Sequence, residues 1–127
     1  MATFTIKRSV TTGSGTTTDN TDYTGTAVTL VDESVTTGQT DFLINVAIDV
    51  SAVKAFYLVS DQAVTIETNS GSAADNTIVL VANVPYVWHT SWYDAFLLTI
   101  DVTKIYVTNA SGSTATIEMR VLQDATP

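Results

Sequence analysis

A chain of 127 residues and 13.5 kDa has room for one ordinary domain, long enough to build a hydrophobic core without staples. Thirteen acidic residues against five basic ones give a net charge of −8 and a pI near 4.1, which argues against both a phosphate-neutralising nucleic-acid surface and a polybasic membrane patch. The absence of cysteine excludes disulfides, thiolate metal sites and cysteine nucleophiles, and the single histidine, His89, excludes a multi-histidine metal centre.

The side-chain inventory points to sheet. Threonine, valine and isoleucine supply 24, 16 and 8 residues, and their branched β-carbons disfavour helix and suit a pleated surface. In chain order, Phe4, Ile6 and Val10 form a first apolar stripe, with Thr3, Thr5 and Lys7 opposite. Residues 11–26 are rich in Thr, Gly and Ser and offer little to bury, so a flexible loop or arm is expected there. A strand follows at 27–31. Residues 41–50 alternate strictly, with Phe42, Ile44, Val46 and Ile48 on one face and Leu43, Asn45 and Ala47 on the other. Further strands are expected at 53–59, 64–67, 77–81, 86–89, 96–100 and 104–108. A last one holds Ala115, Ile117, Met119 and Val121 on one face. The segments 52–59 and 77–82 are apolar on both faces, which places each either centrally in a sheet or beneath a second chain. Asn69–Gly71 reads as a turn and Asn109–Gly112 as a hairpin loop, where the glycosylation triplet Asn109-Ala110-Ser111 is read as a turn and nothing more. About nine or ten short strands separated by turns define an all-β chain, an antiparallel β-sandwich of jelly-roll-like form. One domain is expected over 1–127, with the loop or arm at 11–26. No secretory leader is expected before the first strand, and no apolar run reaches membrane-spanning length.

Catalytic chemistry finds little support. His89 is the only imidazole, and no serine sits in a nucleophile elbow. The acids fall mainly at strand ends, where Asp caps turns. Asp19, Asn20 and Asp22 are the best local cluster for calcium, but no Asp-x-Asp-x-Asp-Gly loop surrounds them. No metal, cofactor or catalytic residue is therefore assigned. The informative cluster is 84–96, which carries Tyr86, Trp88, Trp92, Tyr93 and Phe96. Such aromatics can be core, with Trp88 and Phe96 buried and the rest at the rim, or protein–protein anchors, or a stacking platform for a sugar ring.

Three stretches, Val53–Asn69, Val102–Gly112 and Arg120–Pro127, resemble small structural proteins of tailed-phage virions. The resemblance implies a β-sandwich decoration, or cement, protein of the capsid. Such a protein is made in the bacterial cytoplasm and carried on the outer surface of the head. It contacts the major capsid protein, self-associates as a homotrimer, and binds neither nucleic acid nor membrane. On that reading Tyr86, Trp88, Trp92 and Tyr93 would meet the partner. Thr16, Thr17, Thr18 and Tyr23, on the 11–26 arm, would reach a neighbouring subunit. The alternative is a carbohydrate-binding or host-adhesion module of a phage fibre.

Overall fold

The computed structural model describes residues 1–124 and contains ten strands in three antiparallel sheets. Residues 125–127, the end of the Arg120–Pro127 stretch, lie outside the described residues. Strands β1 (Ala2–Thr12) and β2 (Gly15–Gly25) form a hairpin of their own. The remaining strands are β3 (Ala27–Val35), β4 (Phe42–Ile48), β5 (Val53–Ser60), β6 (Val64–Thr68), β7 (Thr77–Leu80), β8 (Tyr86–His89), β9 (Val102–Thr108) and β10 (Ala115–Gln123). They divide into two four-stranded sheets, in the orders β3-β10-β5-β8 and β4-β9-β6-β7.

These orders define a jelly roll. β6 pairs with β7, β5 with β8, β4 with β9 and β3 with β10, as in one long antiparallel ribbon whose tip lies between β6 and β7. Rolling that ribbon brings β10 against β5 and β9 against β6, which closes the two sheets. Side-chain alternation makes the roll possible. Ile44, Val46 and Ile48 of β4 and Ala115, Ile117, Met119 and Val121 of β10 are all buried between the sheets, together with Phe56, Leu58, Ile66, Ile105 and Val107. The opposite faces of those strands carry mostly polar or half-exposed residues.

The hairpin adds a third layer on the outer face of the β3-β10-β5-β8 sheet. Ala2, Phe4 and Ile6 of β1 and Tyr23 of β2 pack on Ala55 and Leu122, forming a second, smaller apolar cluster. The approach is close. A side chain at Gly25 would stand 2.9 Å from the Gln123 carbonyl oxygen and 3.0 Å from the Leu122 side chain, so only glycine fits there. The hairpin explains why β5 is apolar on both faces. It is a central strand, and Ala55, on its outer face, lies under the chain's own hairpin.

Three expectations need correction. Residues 11–26 are not a flexible loop: 11 and 12 end β1, and 15–25 form β2, in continuous register with β1 from Thr12↔Gly15 to Ala2↔Gly25. Branched threonines suit an extended ribbon, and Gly13-Ser14 make the tight turn it needs; the Thr11 and Thr16 hydroxyls meet at 2.9 Å across the pair. Residues 96–100 form no strand. Phe96 packs against the core and Leu98 is buried in it, in an irregular loop whose two apolar side chains plug the sandwich. Finally, Asn109–Gly112 is not a hairpin loop, because β9 and β10 belong to different sheets. Asn109 is fully buried there and ties the crossover together, donating from its amide to the Val35 and Ser113 carbonyls at 2.8 Å each.

Candidate interaction surface

The aromatic cluster of 84–96 separates into two groups. β8 points Tyr86 and Trp88 inward, opposite Leu58 and Phe56 of β5. Phe96 closes over them: it stacks on Trp88 at 4.6 Å between ring centroids and meets Phe56 edge-on at 5.1 Å. The polar ends are also used. Trp88 Nε1 donates to the Asp94 carbonyl at 2.9 Å, and the Tyr86 hydroxyl accepts from the Leu97 amide at 3.1 Å. Burial, assisted by Asp94, raises the Tyr86 hydroxyl above its ordinary value against the opposing effect of the Leu97 amide. Tyr86 and Trp88, expected at a partner surface, are thus half-buried side chains that finish the core.

The second group forms where the loop after β8 meets the hairpin. Trp92 is half-buried and Tyr93 is 95% exposed, their rings edge to face at 5.8 Å. The Arg8 guanidinium of β1 lies 4.4 Å above the Trp92 ring, a cation–π contact. His89, only 3% exposed, adjoins both: Arg8 bonds its Nε2, and its ring is edge-on to Trp92.

The hydrogen bonds of His89 determine its tautomer. Arg8 has donors only, so its bond to Nε2 makes Nε2 the acceptor and leaves the proton on Nδ1. Nδ1–H then donates to the Tyr23 hydroxyl oxygen at 2.6 Å. Protonating Nε2 would set a second positive donor against the guanidinium. Burial pushes the imidazole below its ordinary value of 6.5, Arg8 acts in the same direction, and Asp19 opposes them. His89 is therefore the neutral centre of a latch, Arg8–His89–Tyr23, that fixes the hairpin to β8. Tyr23, expected to reach a neighbouring subunit, is instead committed within its own chain. Its partner was hidden in the sequence because 66 residues separate the two.

Beyond the latch the hairpin runs free. Every residue from Ser9 to Asn20 is exposed, including Thr16, Thr17 and Thr18, so these three threonines sit where contact with another molecule is open to them. Beside β1, a groove of about 560 Å³ opens on the sheet, with Phe4, Ile6, Tyr57, Val87 and Arg120 among its lining. Asp19 and Asp22 are spread along a straight strand, and the Asp22 carboxylate accepts from the Thr5 hydroxyl at 2.6 Å. Among the described residues, no three histidine or acidic side chains converge on a point.

Comparison with known proteins finds no matching family, no matching curated protein and no matching solved structure.

Proposed function

We propose that the chain is a non-enzymatic structural protein of a phage virion, a decoration protein that binds the outer surface of the head and ties neighbouring major capsid subunits together. The observation that carries this reading is the paired surface at one side of the roll. A hairpin end exposed on both faces stands beyond an aromatic pair, Trp92 and Tyr93, that the core does not consume. Such a surface favours adhesion: a rigid scaffold presents an aromatic anchor and an extended ribbon to a broad partner. The chain has a net charge of −8, which keeps free copies apart until specific contacts form. Self-association as a homotrimer and residence on the virion surface, after synthesis in the host cytoplasm, belong to the same proposal. The fibre-module alternative loses one stacking face, because Phe96 already lies on Trp88.

The test is co-sedimentation of the purified protein with DNA-filled heads of the phage whose genome encodes it. Saturable binding is expected, weakened about tenfold or more by Trp92→Ala or Tyr93→Ala, the scale of an aromatic anchor worth over about 1.4 kcal/mol. Absence of binding, with tryptophan fluorescence quenched by glycans instead, would replace the decoration reading with the fibre one.

A further inference from the structure

The roll leaves an uncharged stretch whose outward residues are uncovered among the described residues. β7 is the last strand of its sheet and pairs on one side only, with β6. Its inward residues Ile78 and Leu80 are buried, whereas Val79 is 73% and Val81 63% exposed. Sequence pattern alone places this doubly apolar segment either centrally or beneath a second chain, and the fold excludes the central position. No Asp, Glu, Lys or Arg occurs between Asn76 and Tyr93, so the edge lacks the charges that usually keep a free strand solitary.

The free end of the hairpin has matching properties. Ser9–Thr12 and Gly15–Thr18 are two paired four-residue segments, each reaching about 13 Å at strand rise. β7 is four residues long as well. The segment from Ser9 to Thr18 carries no charge, in a chain that has 18 charged residues. Val10, its only large apolar side chain, is 64% exposed. Two copies at −8 repel over most of their surfaces, and these are stretches where they can approach without bringing like charges together. Unpaired strand backbone on both sides supplies the hydrogen bonds, and Val10 beside Val79 supplies an apolar cross-strand pair.

We propose that the free hairpin end of one copy adds to the β7 edge of a second copy, head to tail, with Val10 against Val79. The contact names the partner of the arm within the assembly reading above, on which it rests for its biological setting. Because the two surfaces differ, each copy offers one of each, and repetition closes a ring when the rotation allows it.

Sedimentation velocity on the purified chain over a concentration series tests the contact. The wild type should associate. Val10→Lys and Val79→Lys should each lower the association constant about a hundredfold or more, because an unpaired ammonium would be desolvated at the contact. Mixed in equal amounts, the two variants should form a one-to-one pair and stop, since one retains its edge and the other its arm. The double variant Val10→Lys/Val79→Glu should recover association. Leu30→Lys, on the exposed face of edge strand β3, should change nothing. A wild type that remains monomeric at every concentration overturns the proposal. So does association lost in Val79→Lys but kept in Val10→Lys, which would mean two β7 edges pairing with each other. A double variant that stays monomeric overturns it, as does sensitivity to Leu30→Lys in place of Val79→Lys. Since no heads are present, a monomeric result leaves head binding untouched, and heads that fail to bind leave this measurement standing.

Discussion

His89 shows how much one side chain can organise. It is buried, it is the only imidazole, and both its nitrogens are used by residues of the hairpin, Arg8 on β1 and Tyr23 on β2. Its lowered proton affinity has a definite sign for stability. The unfolded chain takes up a proton at the ordinary value and the folded chain only at lower pH. The latch contribution is therefore complete above about pH 6.5 and is lost as pH falls below it. Hydrogen exchange of the β1 and β2 amides should accelerate through that window in the wild type, relative to amides of the sandwich. In His89→Gln the extra acceleration should vanish. An identical pH profile in the variant would show that another group titrates there. Tyr23→Phe should lower stability by about 1–3 kcal/mol at neutral pH by leaving Nδ1–H unpaired beneath the hairpin, measured by denaturant unfolding.

At the scale of elements, the hairpin is the part of the fold that differs most from expectation. Strand alternation alone identifies β4 and β10, because a half-buried strand writes its two faces into the sequence at period two: Ile44 and Val46 buried, Leu43 and Asn45 exposed. β2 escapes the same reading because most of its length faces solvent on both sides, so its residues alternate in nothing, and a low-complexity threonine ribbon looks like a loop. Only Tyr23 and Gly25 report its docking, and both depend on residues far along the chain, His89 and Gln123. The aromatic cluster was legible as a cluster, and one of its readings, with Trp88 and Phe96 buried and the rest at the rim, matches the fold, but the choice among the readings was not legible. Whether Trp88 or Trp92 faces outward depends on where Phe96 folds back, which no local pattern encodes. Gly25→Ala tests the docking directly. The added methyl meets the Gln123 carbonyl and Leu122, so the hairpin should lift while the sandwich persists. The expected result is loss of amide protection confined to β1 and β2; unchanged protection throughout would show that the hairpin tolerates a wider gap.

The whole molecule is a jelly roll with a third layer that continues past its own support. Its strand order follows from rolling one antiparallel ribbon, and the same winding leaves β7 at an edge and places the loop after β8 next to the hairpin. The roll is shared by unrelated functions, so the architecture supplies the scaffold and the surface carries the functional argument. That surface consists of Trp92 and Tyr93, the free hairpin end and an uncharged edge. If many such contacts tie capsid subunits together, their effect is cumulative, and it appears in the shell and not in the isolated chain. The most direct measurement is the temperature at which heads release their DNA, followed by dye fluorescence, in heads stripped of the protein and in the same heads after purified protein is added back. Stripped heads should release DNA at lower temperature, and adding back the wild type, but not the Trp92→Ala/Tyr93→Ala double variant, should restore the release temperature. Equal release temperatures with and without the protein would contradict the decoration reading.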